Sequence, residues 1–278
     1  MDPAAFPDAY PHPVAPENLC AVVLAAGAGT RLVPLTDLRP KALCPVGDRT
    51  LLDRALDRLT ALGISGPDRV AVNAHHHAEQ VAAAVRGRAH LSVEQPEALG
   101  TAGALGALRP WIADRNVLVC NADAYLAGGT LGPLLGGWSG ERPRVLVVKD
   151  PARGDFGDWR FAGISLLPAA VAARLEPTPS GLYEVVWRDA EERSELELTP
   201  FNGYVVDCGT PSDYLAANLH ASGGASVVGA GAVVQGRLTR SVVWPGGQVG
   251  RDEHLVESIR AGETLTVPAP LKAHTHRH

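Results

Sequence analysis

The sequence predicts an α/β fold in which a mostly parallel sheet carries helices on both faces and a short β-helical segment follows. Three observations carry this expectation. From residue 19 to residue 222, short apolar runs of strand character alternate with stretches of helical period. The first run, LCAVVLAAG, is apolar throughout, as a strand buried on both faces requires. After Gly223 the spacing shortens to Val- or Leu-centred pieces every five to seven residues, separated by glycine turns. The βαβα succession implies a Rossmann-like sheet, because a crossover helix returns the chain for each parallel strand.

The elements follow in order. Residues 1–18 are proline-rich and read as a flexible lead, without the basic and apolar regions of a signal peptide. TLLDRALDRLTALGI places Leu51, Leu52, Ala55, Leu56, Leu59 and Leu62 on one helical stripe and stops at Gly63. RVAVNAH is the next strand, and HAEQVAAAVRG the next helix. LSVEQP reads as a strand, TAGALGALRPWI as a helix and NVLVCNADAYL as another strand. RVLVVKD, FAGISLL and FNGYVVDCGT add later strands, and TPSDYLAANLHAS the last helix. The main domain thus spans 19–222. Residues 223–268 suggest a left-handed β-helix of hexapeptide type, too short to bury its own faces, since about three coils are normally needed. It is expected to dock on the first domain or on another subunit. Residues 269–278, ending in HTHRH, read as a disordered tail.

A net charge of -5 over 278 residues argues against a nucleic-acid or anionic-membrane surface. Any anionic ligand must then be held by a few placed cations. Cys20, Cys44, Cys120 and Cys208 are scattered, with no C-x-x-C, and read as reduced thiols of a cytoplasmic protein. No run approaches the ~18 apolar residues of a membrane span.

Residues 22–46, VVLAAGAGTRLVPLTDLRPKALCPV, tip a strand straight into glycines, an arginine and a Pro-Lys pair. Glycines at a strand end let backbone N–H groups approach a phosphate. A dinucleotide fingerprint needs a glycine where Leu32 stands, and a P-loop needs a Gly-Lys-Ser/Thr triplet that does not follow. What remains is Gly27-x-Gly29-Thr30-Arg31, then Pro34, Thr36, Pro40-Lys41 and Pro45-Val46. This pattern resembles the signature of sugar-1-phosphate nucleotidylyltransferases, which join an NTP to a sugar 1-phosphate and release pyrophosphate. The resemblance implies nucleotide contacts from Leu24, Ala26, Gly27, Gly29, Thr30, Arg31 and Lys41, with Arg31, Lys41 and Asp123 catalytic. The chemistry fits these residue types. A sugar phosphate is already an anion, so catalysis reduces to aligning charged groups and neutralising the leaving pyrophosphate. Arg31 offers a planar fork and Lys41 a point charge.

Asp123 and Asp207 each follow a predicted strand, where open α/β sheets place their ligands. Alone, either is more often a turn or helix-cap residue than a metal ligand. The resemblance implies that both hold Mg²⁺: Asp123 stands in NADA, where the family commonly has Gly-Asp, and Asp207 opens a matching D-C-G-T-P. It also implies base-side contacts from Gly100 and Thr101 in EALGTAGAL, and sugar-side contacts from Gly163 in FAGI, with Asn121 and Asn202 as further candidates. One departure stands out. Many relatives carry Glu-Lys-Pro before FAGI; here KDPARGDFGDWRF leaves Lys149 and Arg160 as the candidates for its cation. That absence and VNAHHHAEQV resemble the compact branch of mannose-1-phosphate guanylyltransferases and N-acetylmuramate-1-phosphate uridylyltransferases. His75, His76 and His77 are consecutive and cannot converge on one metal. Trp244 reads as packing.

The expected activity is Mg²⁺-dependent in-line attack on the α-phosphate, with GTP and mannose 1-phosphate as substrates and a homo-oligomer formed through the C-terminal segment. Two alternatives stand beside it. One is a uridylyl- or cytidylyltransferase acting on another sugar 1-phosphate or on phosphocholine. The other is a regulatory subunit that binds a nucleotide sugar without turnover.

Overall fold

The computed structural model describes residues 17–271, so the lead up to residue 16 and residues 272–278 of the tail lie outside the described residues. Ala269, read as the start of a disordered tail, is instead buried and donates its N–H to Glu257 O at 2.7 Å. β1 (Leu19–Leu24) runs through the glycine loop to a one-turn helix α1 (Leu35–Leu38), a hairpin of β2 (Pro45–Val46) and β3 (Arg49–Thr50), and helix α2 (Leu51–Ala61). Then come β4 (Val70–Ala74), α3 (Ala78–Val85), β5 (His90–Val93), α4 (Gly100–Ile112), β6 (Asn116–Asn121) and β7 (Ala124–Ala127). α5 (Gly132–Leu135), β8 (Arg144–Lys149), β9 (Trp159–Leu167), α6 (Ala169–Ala172), α7 (Arg188–Glu192), β10 (Glu197–Pro200), β11 (Tyr204–Asp207) and α8 (Pro211–Ala221) complete the main body.

Seven strands form the central sheet in the order β10-β8-β9-β6-β1-β4-β5. Only β9 runs antiparallel to its neighbours. Alternation along β1 shows why its apolar run is continuous. Leu19, Ala21 and Val23 face the core under α2 and α3, while Cys20 and Val22 face the core under α4. The α2 stripe is buried as its period requires, and Thr50 caps that helix by accepting from the Asp53 N–H.

Two readings of the sequence need correction. NVLVCNADAYL is not one strand: it breaks at Ala122–Asp123, and β7 leaves the sheet to pair antiparallel with β11. The segment FNGYVVDCGT accordingly supplies a partner for β7, not a further central strand. The break is tight, since a Cβ on Gly163 of β9 would stand 2.5 Å from the Ala124 Cβ. β10 is an additional strand that its polar, proline-ended sequence did not announce.

Beyond α8, the short strands pair in parallel with the strand one coil later, until the last two, Ser258–Ala261 and Leu265–Pro268, which pair antiparallel with each other. Val227 pairs with Val242 and Val242 with Ile259, Val233 with Gln248, and Arg237 with His254. This is β-helical pairing, around a small interior of Val243, Val249 and Leu255. The segment docks on the first domain: Trp244, Ile259 and Val267 share one core with Leu32, Leu35, Val46, Tyr214 and Leu215. Trp244 does pack. Its Nε1 donates to Tyr214 Oη at 3.0 Å, and the Arg39 guanidinium lies 4.5 Å from its ring centroid. All four cysteines are buried free thiols packed as small apolar groups.

Candidate active site

The site grows from the turn after β1. The Ala25 N–H donates to Asn73 Oδ1 at 2.6 Å, fixing the start of the glycine loop against β4. Gly29 has φ +63, and a Cβ there would lie 2.7 Å from Thr36 Cγ2, so the loop closes at this point only with glycine. The Thr36 hydroxyl donates to Gly29 O at 3.1 Å, and His76 Nε2 donates to Thr36 O at 2.9 Å. Gly27 differs: a Cβ there would meet nothing within 4 Å, so its bare backbone opens on a cavity instead of packing against protein.

The β7–β11 ladder sets the charges. Asp207 lies opposite Ala124, and the Cys208 N–H donates to Asp123 O at 3.1 Å, which brings the two aspartates side by side. Lys41 pairs with Asp123, and Arg31 Nη2 stands 3.5 Å from Asp207 Oδ2. Lys41 is mostly covered and Arg31 mostly exposed. Burial works against the Lys41 charge, but Asp123, followed by Asp207, holds its pKa above the ordinary lysine value. For Asp207, burial first and the Asp123 carboxylate second push the pKa up.

Two cavities meet at this cluster. One, of about 180 Å³, is lined by Leu24, Ala26, Gly27, Asn73, Ala98, Gly100 and Thr101. The other, of about 250 Å³, is lined by Ala124, Asp155, Arg160, Phe161, Ala162, Gly163, Val205 and Asp207. Asn121 and Asp123 line both. A larger cavity of about 570 Å³, over Arg174, Val185 and Asp189, contains none of the residues singled out in the sequence.

The residues expected to bind nucleotide therefore divide. Leu24, Ala26, Gly27, Gly100 and Thr101 line the first cavity. Gly29, Thr30, Arg31 and Lys41 line neither cavity; Gly29 supports the loop from behind, and the two cations reach the site through Asp207 and Asp123. The Thr101 hydroxyl accepts from the Leu182 N–H at 2.7 Å, so it also anchors a neighbouring segment. On the sugar side, Asn121 and Gly163 line the second cavity, whereas Asn202 is exposed in the loop before β11 and lines neither. The three histidines diverge: His75 donates to Glu94 O at 3.0 Å, His76 to Thr36 O, and His77 lies 3.6 Å from Glu79.

Sequence reasoning missed a buried relay behind the first cavity. Asn73 Nδ2 donates to Glu94 Oε1 at 2.7 Å, and the Leu99 N–H donates to Glu94 Oε2 at 2.7 Å. Together with the Ala25 bond, it ties the glycine loop to the loop bearing Gly100. Its signal was present: an Asn and a Glu each end an apolar strand run, in VAVNA and LSVE. Buried polar side chains must find partners, and these find each other.

The donor set fits a hard divalent cation. Two adjacent carboxylates suit an ion that takes its remaining ligands from phosphate oxygens and water. Among the described residues no cluster of three or more His, Cys, Asp and Glu side chains has the arrangement of a closed metal site.

Known proteins match this architecture. The chain is 35% identical over 139 residues to N-acetylmuramate alpha-1-phosphate uridylyltransferase of Caulobacter vibrioides, covering 46% of this chain and 56% of that one. It is 26% identical over 229 residues to a mannose-1-phosphate guanyltransferase of Schizosaccharomyces pombe, covering 70% and 62%. The chain thus spans little more than half the length of these curated relatives. In fold it resembles a Bacillus anthracis protein crystallised with sucrose and provisionally assigned as a glucose-1-phosphate thymidylyltransferase. That likeness has a TM-score of 0.63 at 21% identity, over 73% of this chain and 95% of that one. The sequence profile of the MobA-like NTP transferase domain matches residues 21–195, and the chain belongs to that family.

Proposed function

We propose that the protein transfers a nucleotidyl group from an NTP to a sugar 1-phosphate, forming an NDP-sugar and pyrophosphate. The observation that carries this is the pair of cavities sharing Asn121 and Asp123 as a common wall, beside two cations and two carboxylates. A donor held in the first cavity meets an acceptor held in the second at that wall. The named relatives act on sugar 1-phosphates with a uridylyl or a guanylyl donor, which supports the substrate class.

The chemistry follows from the charges. Without substrate, Lys41 and Arg31 are neutralised by Asp123 and Asp207. Asp123 and Asp207 are the residues that would hold Mg²⁺, which would leave Lys41 and Arg31 free to pair with the phosphate oxygens of the triphosphate. Bound there, Mg²⁺ supplies Lewis-acid polarisation of the phosphate and charge neutralisation. The acceptor phosphate attacks the α-phosphorus as an anion, so no protein base is required, and Lys41 and Arg31 stabilise the charge gathered on the departing pyrophosphate. This demand for both cations and both carboxylates favours an enzyme over a binding subunit.

GTP with mannose 1-phosphate is the first pair to test, because the guanylyl relative matches 70% of the chain. UTP with N-acetylmuramate α-1-phosphate is the second, on the 35% identity of the uridylyl relative. The compartment we propose is the cytoplasm, where nucleoside triphosphates are made and reduced thiols persist. Among the described residues no helix is long and apolar enough to cross a membrane. The test is pyrophosphate release over a grid of NTPs and sugar 1-phosphates with Mg²⁺. One pair turning over well above the rest supports the reading, and silence across the grid overturns it.

A further inference from the structure

The second cavity poses an electrostatic problem. It is lined by three carboxylates, Asp123, Asp155 and Asp207, yet on the reading above its occupant is an anion. On the reading above Mg²⁺ would offset Asp123 and Asp207, which leaves Asp155 and the charge of the acceptor itself for a placed side-chain cation to balance. Among the residues lining the cavity, Arg160 is the one cation. Lys41 and Arg31 do not line this cavity and are assigned above to the triphosphate.

We infer that Arg160 binds the phosphate of the acceptor and that Asp150 positions it to do so. Arg160 Nε is held by Asp150 Oδ2 at 3.0 Å, and both side chains are mostly covered, at 17% and 18% exposure. A guanidinium anchored through Nε keeps its two terminal nitrogens as a planar fork, the geometry that matches two phosphate oxygens. Among the described residues those terminal nitrogens have no hydrogen-bond partner. Asp155 does not compete for them: its Oδ2 accepts from the Phe161 N–H at 2.8 Å, which turns the carboxylate to the backbone. Asp150 also holds Arg153 at 3.0 Å, so its position is braced from both sides. Lys149, the other cation of the segment, is exposed at the end of β8 opposite Trp159 and lines neither cavity.

This assignment rests on the nucleotidyltransferase reading, and the experiment separates the two. Steady-state pyrophosphate release is measured for the wild type, Arg160→Ala, Arg160→Lys and Asp150→Asn, varying each substrate with the other saturating. Arg160→Ala is expected to raise the KM for the sugar 1-phosphate about 10- to 100-fold while leaving the KM for the NTP within about twofold. Arg160→Lys should recover part of that loss, since it restores charge without the fork. Asp150→Asn should raise the same KM by less, with kcat unchanged. The rise in melting temperature given by NTP with Mg²⁺ reports in every variant that the fold and the first cavity are intact. An unchanged acceptor KM in Arg160→Ala, or an equal rise for both substrates, overturns the assignment and leaves the function standing. Silence of the wild type across the substrate grid overturns the function and this assignment with it.

Discussion

The Lys41 ammonium is paired with the Asp123 carboxylate, and both groups are largely shielded from water. The pair joins the glycine-loop segment after β1 to the break between β6 and β7, where the two cavities meet. Removing the cation therefore removes charge at the point of transfer. Lys41→Ala should lower kcat by about 10²- to 10³-fold, the usual loss for one placed charge at a developing anion. The circular-dichroism spectrum should stay unchanged, because Asp123 retains partial access to solvent. Turnover within threefold of wild type would remove Lys41 from the mechanism.

Asp123 and Asp207 meet through a ladder of only four residue pairs. Chelation of divalent cations should abolish pyrophosphate release, and adding back Mg²⁺ should restore it. Asp207→Ala should lower activity at least about a hundredfold at any Mg²⁺ concentration, because one of the two proposed protein ligands is gone. Arg31 would lose its partner in the same variant, but it is exposed enough to remain solvated. Metal-independent turnover in the wild type would count against the two-carboxylate reading.

Much of this site was legible because its signals are local. The apolar run of β1, the tight glycine at Gly29 and the cations at 31 and 41 lie within one short segment, and elementary chemistry connects them. From their own surroundings Asp123 and Asp207 were legible as strand-end acids, and as a metal pair only through the family resemblance; the β7–β11 pairing that joins them is a tertiary fact with no local mark. The uninterrupted strand read through NVLVCNADAYL failed for the same reason, since the break is imposed by the close crossing of Gly163 on β9. Asn202 shows the opposite case. It sits close to β11 in sequence, yet the loop leaves it in solvent, away from both cavities.

The relay behind the first cavity gives a test on the nucleotide side. Glu94 is 2% exposed and accepts from both Asn73 and the Leu99 N–H. Glu94→Gln replaces one acceptor by a donor facing a donor. It should cost about 1–3 kcal/mol of stability, the desolvation cost of a buried group left unpaired. Because the relay ties the two loops lining the first cavity, to which nucleotide binding is proposed, the KM for the NTP should rise several-fold and that for the sugar phosphate should not. Equal effects on both substrates would show a general loosening of the fold instead.

Trp244 closes the junction between the β-helical segment and α8. It is 1% exposed and donates its indole N–H to Tyr214, whose own hydroxyl donates to Pro45 O. Trp244→Ala should therefore destabilise the whole chain by about 3–5 kcal/mol, as deletion of a buried aromatic ring does. A single cooperative transition should move to lower urea concentration. Loss of the C-terminal segment alone, with the main domain unfolding at its wild-type midpoint, would mean the two parts are not one core.

Asp53 ties stability to pH. Burial opposes its charge, but the Thr50 hydroxyl at 2.7 Å and the Arg88 guanidinium at 2.7 Å together hold its pKa below the ordinary aspartate value. A carboxyl whose folded pKa is depressed stabilises the fold above its unfolded pKa of about 3.9 and loses that contribution as pH falls through the folded value. Asp53→Asn should thus be less stable than the wild type at pH 7 by roughly 0.5–1 kcal/mol, the usual worth of a partly exposed ion pair. The gap should stay constant from pH 8 to pH 5 and shrink below about pH 4, where the unfolded wild-type chain takes up a proton that the folded carboxyl still resists. Urea unfolding of both proteins across that range reads the difference directly, and a gap that widened on acidification would contradict the assigned direction.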